Sequence, residues 1–167
     1  QGLDDLVASL DAFAALRLTS AQAHTAAASV VPVLCQLLRS EFGDEAVLQR
    51  VLAQLSKLCC GEDESGGGDK DHKGEGDHPG ATVFLSEKAN FEILLECLSH
   101  QSTWVQIHSI GLIAGILECE RAPLEEMLLS CNLGLRRLMD VIALGHEVHI
   151  KVRNDMLSLL QSLTRSN

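Results

Sequence analysis

Apolar residues recur every three or four positions along most of the chain, a spacing typical of amphipathic helices. The pattern predicts helices over residues 3–14, 45–60, 82–98, 104–118, 135–143 and 149–164. Two further helices are predicted on either side of Pro32, one from the Thr19-Ser20 cap to Ser29 and one over 31–39, because proline favours the first turn of a new helix. Pro123 predicts another helix start for the same reason.

The segment 104–118 is apolar on nearly all sides, with Ile110, Leu112 and Ile116 among its members. A helix of this kind is buried between neighbours rather than half-exposed. Gly111 and Gly115 should let a neighbouring helix approach closely, at some cost in helix propensity.

Two leucine-rich segments alternate along the chain. The first series can be aligned over residues 52–58, 111–117 and 157–163, and the second over 34–40, 94–100 and 135–141. When an inserted loop is removed, the period is about 40 residues, as in armadillo and HEAT repeats. Each unit has an apolar face that it cannot bury alone, so units stack into a continuous core.

The fold class predicted from this period is all-α, a right-handed α-solenoid of armadillo/HEAT-like helical repeats. The predicted repeats cover residues 1–43, 44–101 with the loop insertion 61–81, 102–145 and, in part, 146–167. The alternative is a generic helical bundle in which similar leucine patterns recur by chance.

Half of the net charge of −10 lies in one segment of twenty residues. Residues 61–80 hold seven acidic residues and two lysines, a net charge of −5, together with seven glycines. This composition cannot bury enough apolar surface to offset ordering entropy, so a long acidic disordered loop is predicted. An acidic chain repels phosphate backbones and anionic lipid, so we expect no nucleic-acid partner and only indirect membrane association.

The cysteine spacing and the first residues of the chain indicate the cellular environment of the protein. The six cysteines are irregularly spaced without a C-x-x-C motif, which indicates a reduced, cytosolic protein. The adjacent Cys59 and Cys60 are interpreted as a core residue and its neighbour rather than a redox pair. No signal peptide or membrane span is recognised, and the start at Gln1 is interpreted as that of a fragment of a longer protein.

Three patterns resemble catalytic or metal-binding motifs without meeting their requirements. His146 and His149 are spaced i, i+3 around Glu147, whereas the zinc-protease motif needs i, i+4 on one helix. The acidic loop contains a flexible tract of possible metal ligands, namely Asp69, Asp71, His72, Asp77 and His78. We interpret this tract as solvated, because ordered metal sites need fixed geometry. The glycine run 66–68 lacks the lysine and the preceding strand of a phosphate-binding loop.

The sequence therefore predicts no enzyme activity, no catalytic residue, no cofactor and no metal site. His24, His100 and His108 are single histidines that need no special role. The exposed cations Arg136, Arg137 and Arg153 are expected to pair within their own helices. The partner-binding surface is not located by the sequence.

The C-terminal stretch carries the most specific family resemblance. Residues 135–141 (LRRLMDV), 152–155 (VRND) and 159–167 (LLQSLTRSN) resemble the armadillo-like head of the general vesicular transport factor family. The start at Leu3-Asp4-Asp5 and the acidic insertion are also similar. The resemblance spans nearly the whole chain, and it is looser before about Lys88.

This resemblance implies the N-terminal part of the head of a vesicle tether acting in ER-to-Golgi and intra-Golgi transport, before membrane fusion. It implies recruitment by a Rab-type GTPase, engagement of golgins and SNARE proteins, and a homodimer formed through a coiled coil outside this segment. It implies a cytoplasmic protein peripheral on Golgi and ER–Golgi intermediate membranes.

Two other armadillo-type functions compete with the tether. An importin-like adaptor would need ladders of Trp and Asn on its inner helices. The matching positions here are Ala53/Lys57, Leu112/Ile116 and Ser158/Ser162, so the ladder is absent. A chaperone nucleotide-exchange factor would share the fold and the acidity of this chain.

Deleting residues 62–77 is expected to leave the melting temperature of the protein within about 4 °C, equivalent to about 1 kcal/mol for a domain of this size. The segment contributes no core, so its removal costs little. Thermal unfolding followed by circular dichroism checks this, and a fall of more than about 10 °C would contradict the loop assignment.

Overall fold

A computed structural model describes residues 2–16, 19–61, 79–144 and 148–165, without the side chains of Ser20, Ala23 and His24. These ranges contain nine helices and no strand, which confirms the all-α class. The helices are α1 (Gly2–Ala14), α2 (Ser20–Ser40), α3 (Glu45–Cys60), α4 (Pro79–Leu85), α5 (Lys88–Cys97), α6 (Thr103–Cys119), α7 (Arg121–Ser130), α8 (Gly134–Ala143) and α9 (Ile150–Thr164).

The predicted acidic loop lies almost entirely outside the described residues. Its predicted end at residue 81 is wrong, because α4 begins at Pro79. Proline is preorganised for a first helical position, and Ala81 and Phe84 are buried in the core.

Side-chain caps define the starts of the main helices. The Asp44 carboxylate accepts a hydrogen bond from the Val47 N–H at 3.0 Å, and the Ser102 hydroxyl accepts one from the Val105 N–H at 3.5 Å. Thr19 forms a reciprocal capping box with Gln22. The caps predicted at Thr19, at Asp44 and in the turn before Trp104 are therefore confirmed.

The predicted helix boundary at Pro32 is wrong, since α2 runs unbroken from Ser20 to Ser40. Proline cannot donate to the carbonyl of Ala28, but Ala28 and Pro32 are both exposed, so water can hydrate that carbonyl. The opposite face buries Ala27 and Val31 before the proline and Leu34 after it, and α2 packs against α3 and α4. Burial on that face holds the two halves in one helix.

The single helix predicted over 82–98 is also wrong, because the chain breaks at Ser86 and Glu87 between α4 and α5. Asn90 organises this break: its Nδ2 donates to the Phe84 carbonyl at 3.1 Å, and Arg39 Nη1 donates to its Oδ1 at 2.8 Å. Asn90 is buried, so both hydrogen bonds compensate a polar group that would otherwise be costly.

Helix α6 lies at the centre of the described structure, as its all-round apolarity predicts. It packs against α3 and α9 and also contacts α5 and α7. Its side chains at Ile110, Leu112, Ile113 and Ile116 are almost completely buried. Covering a helix from several directions removes the need for a polar face.

Helices three apart in the chain contact one another. Besides α3 with α6 and α6 with α9, the contacting pairs include α2 with α5, α5 with α8, and α4 with α7. The first leucine-rich series lies on α3, α6 and α9, and the second lies mainly on α2, α5 and α8. Stacking of equivalent helices is what a repeat array requires; the right-handed solenoid geometry and the repeat boundaries stay predictions.

Burial corrects the alignment of the first series by one residue. The caps Asp44, Ser102 and His149 occupy equivalent positions, which matches Leu52 with Ile110 and with Leu157 rather than with Gly111. Leu52 and Ile110 are both buried, whereas Gly111 is exposed. Leucines spaced by three and four residues fit two alignments equally well, so the sequence pattern alone does not determine which alignment is correct.

The two glycines of α6 behave differently. A Cβ added at Gly111 would meet no atom within 4 Å, so the predicted close approach at this position is wrong. At Gly115 it is confirmed, because an added Cβ would lie 2.5 Å from the Cys60 sulfur of α3.

Leu112→Ala is expected to lower the free energy of unfolding by about 2–5 kcal/mol, because this side chain of α6 is fully buried and its truncation leaves a cavity in the core. Leu129→Ala is the matched control, since this side chain is 79% exposed; it should cost less than about 0.5 kcal/mol. Denaturant unfolding measures both, and equal effects would mean that α6 is not central.

Candidate protein-binding surface

The described residues contain no group of three or more His, Cys, Asp or Glu side chains placed to hold a metal ion. Of the pattern around Glu147, only His149 lies in the described part of the chain. Its Nδ1 accepts the Lys151 N–H at 3.2 Å, so it caps α9. The loop residues Asp69 to His78 and the glycine run lie outside the described ranges.

His100 connects two turns. Its Nδ1 accepts the Ser102 N–H at 3.0 Å, so its Nε2 carries the proton and donates to the Phe42 carbonyl at 3.3 Å. The ring also meets Phe42 edge-on, with centroids 5.4 Å apart. The shallow depression beside it, of about 550 Å³, is therefore lined by groups that join the α2–α3 and α5–α6 turns.

Most of the cysteines are unreactive core residues. Burial raises the pKa of Cys35 and of Cys97 to about 12 in each case, and it raises the pKa of Cys59 further. A thiol with a raised pKa holds little thiolate at neutral pH and behaves as a small apolar side chain.

One exposed apolar surface lies at the α8–α9 end of the stack, and we name it the end surface. It contains Leu135, Met139 and Leu157, which are 47%, 56% and 42% exposed. Leu157 matches the buried Leu52 and Ile110 of the preceding units. In the described chain, α9 packs extensively only on α6 and α8. Leu157 is therefore exposed although the matching residues on α3 and α6 are covered by neighbouring helices.

The second exposed apolar group lies on α6 itself, and we name it the α6 stripe: Trp104, His108 and Gly111. Trp104 is 59% exposed, and its ring lies 6.5 Å from that of His108 in a tilted arrangement. The matching positions, Ala46 on α3 and Lys151 on α9, are also exposed. The position of Trp104 is thus exposed on α3, α6 and α9 alike, and the packing of these helices on one another does not cover it.

The α6 stripe has an apolar and uncharged character. Burial lowers the pKa of His108, so its imidazole is neutral at pH 7. The matching residue on α3, Arg50, donates to Asp11 of α1 at 2.8 Å and is thus already paired. Tryptophan is one of the residue types enriched among the energetically dominant contacts of protein interfaces. The sequence shows Trp104 one residue after the helix start, but its exposure becomes visible only when the register of α6 on α3 is known.

The arginines singled out in the sequence do not form the expected intrahelical pairs. Within the described ranges, Arg136, Arg137 and Arg153 have no side-chain hydrogen bond or ion pair. The intrahelical pairs that do form are Lys88 with Glu92, Arg121 with Glu125 and Lys151 with Asp155.

None of the helices in the described ranges has the length and apolarity needed to cross a bilayer. Among the described residues, the α6 stripe has features of a protein contact, because Trp104 is exposed and its neighbour His108 is uncharged at pH 7.

Comparison with known proteins identifies relatives, although no protein-family model matches the chain. The chain is 26% identical over 136 residues to general vesicular transport factor p115 from Homo sapiens, and 33% identical over 85 residues to general vesicular transport factor p115 from Bos taurus. These matches cover 80% and 51% of this chain. The chain spans only 14% and 8% of the length of the two relatives.

Both relatives are named as transport factors rather than enzymes, adaptors or exchange factors. The chain is thus similar to general vesicular transport factors, and the family resemblance found in the sequence is confirmed.

Proposed function

We propose that this chain is part of a non-enzymatic protein-binding scaffold in vesicular transport. More specifically, it forms part of the head of a vesicle tether that acts in ER-to-Golgi and intra-Golgi transport and in docking before fusion. The observation that supports this best is the similarity to p115 from Homo sapiens over 80% of the chain.

The α6 stripe is the proposed contact surface for a protein partner. Trp104 combines high exposure with a rigid helical position, which limits the conformational entropy lost on binding. Its neighbour His108 is half-buried and uncharged at pH 7, so little charge needs to be desolvated when a partner covers this surface.

The proposed partners follow from the family resemblance. They are a Rab-type GTPase that recruits the protein, together with golgins and SNARE proteins, and a second copy held by a coiled coil outside this segment. Membrane association is then indirect, and the proposed location is the cytoplasmic side of Golgi and ER–Golgi intermediate membranes.

The repeat organisation is part of the same proposal. The end surface around Leu135, Met139 and Leu157 fits the contact face for a following helical repeat, because Leu157 corresponds to residues that such a contact buries elsewhere. The repeat boundaries 1–43, 44–101, 102–145 and 146–167 belong to this proposal.

The competing adaptor function gains no support from the corrected alignment. The ladder positions on α6 become Gly111 and Gly115, because Leu112 and Ile116 are buried in the core. Together with Ala53/Lys57 and Ser158/Ser162, these positions include neither Trp nor Asn. No specific feature favours a nucleotide-exchange factor.

The full-length protein is expected to bind a Rab-type GTPase in its GTP form and not in its GDP form. Pull-down on a panel of Rab proteins loaded with each nucleotide measures this. Equal binding to the two forms across the panel would contradict recruitment by an active Rab.

The same pull-down tests the surface through a matched pair of variants. Trp104→Ala is expected to weaken the GTP-dependent binding about tenfold or more, the usual loss for a dominant interface residue. Leu129→Ala, also strongly exposed but on α7, should leave it unchanged. Equal binding by both variants would place the contact elsewhere.

A further inference from the structure

Two cysteines from different helices lie side by side at one end of the α3–α6 interface. Cys60 is the last residue of α3, and Cys119 is the last residue of α6. The Cys60 sulfur occupies space that the missing side chain of Gly115 leaves open, 2.5 Å from where a Cβ would lie. Cys119 follows Gly115 by four residues and therefore lies on the same side of α6.

The Cys60 sulfur fills the space beside Gly115, one helical turn before Cys119, so the two side chains meet at the same end of the α3–α6 interface. Both residues are partly accessible to solvent, whereas Cys35, Cys59, Cys97 and Cys131 are buried. Cys59 and Cys60 thus match their interpretation as core residue and neighbour. The cysteine proposed to react with Cys60 is therefore Cys119 of α6, and not the adjacent Cys59.

We propose that Cys60 and Cys119 are an oxidation site, and that hydrogen peroxide converts them into a disulfide joining the C-terminal ends of α3 and α6. One thiolate attacks a peroxide oxygen, which cleaves the O–O bond and gives a sulfenic acid and hydroxide; the hydroxide takes up the proton that the thiol released and leaves as water. The second thiolate then attacks the sulfenic sulfur, forms the S–S bond and releases a second water. Two thiols thereby supply the two electrons that reduce one peroxide.

The position of the pair determines what the bond does. α3 and α6 form the most extensive helix–helix contact in the described structure. A disulfide at the end of this contact restrains the two helices relative to each other. It also lowers the conformational entropy of the unfolded chain. The bond is reversible by thiols, so it adds a redox-dependent restraint to a scaffold that is otherwise held by apolar packing.

The pair is not a fast peroxide sensor. Partial burial, together with Glu118 and Glu120, raises the pKa of Cys119, so its thiolate is scarce at pH 7. Oxidation with hydrogen peroxide is therefore carried out at about pH 8.5, where thiolates are more abundant.

The test is a non-reducing tryptic peptide map of the full-length protein after this treatment. We expect one new cross-linked species that joins the peptide 58–70 to the peptide 89–121 and disappears on treatment with dithiothreitol. It should be absent in Cys60→Ser and in Cys119→Ser, and it should persist in Cys131→Ser, the matched control.

Each of the two peptides contains a second cysteine, so the bond must also be localised. Peptide 58–70 includes Cys59, and peptide 89–121 includes Cys97. Fragmentation of the linked peptides in the mass spectrometer assigns the sulfurs without altering the core. A bond through Cys59 or Cys97, a disulfide between two protein molecules, or sulfinic acids without a cross-link would overturn the proposal.

Discussion

The burial of α6 is the constraint on which the rest of the structure depends. This helix has no polar face along its middle, and Ile110 and Leu112, which lie on nearly opposite sides of its axis, are both buried. Such a helix is stable in water only when neighbours cover it on several sides. α3 and α9 provide two of these sides, and α5 and α7 contact it as well. The packing of helices three apart in the chain satisfies this requirement. The same packing determines which apolar side chains stay exposed.

Two exposed apolar surfaces remain, and their origins differ. The end surface exposes Leu157, whereas the matching residues Leu52 on α3 and Ile110 on α6 are buried. The α6 stripe exposes Trp104 at a position that is solvent-accessible in all three units. The exposure of Trp104 therefore does not depend on what covers α9. The similarity to vesicular transport factors and the α6 stripe together support a scaffold that binds protein partners.

Local signals in the sequence predicted most helices and caps, whereas features that depend on packing were missed. Asp44 and the periodicity after it identify α3 because a cap acts within one turn. Pro32 misled the prediction, since burial of Val31 and Leu34 outweighs one missing hydrogen bond. The break before α5 depends on Asn90 reaching Arg39, 51 residues away. The proximity of Cys60 to Cys119 depends on the register of α3 on α6, which leucine spacing leaves ambiguous.

Hydrogen exchange of the intact protein, read by mass spectrometry, tests the central position of α6 most directly. Amides in the middle of a helix covered on several sides open only with extensive unfolding, whereas terminal helices open locally. We expect peptides from α6 to exchange most slowly, followed by those of α3, and peptides from α1 to exchange fastest among the described helices. Exchange of α6 as rapid as that of α1 would contradict the account, because it would mean that neighbouring helices do not protect its apolar surface.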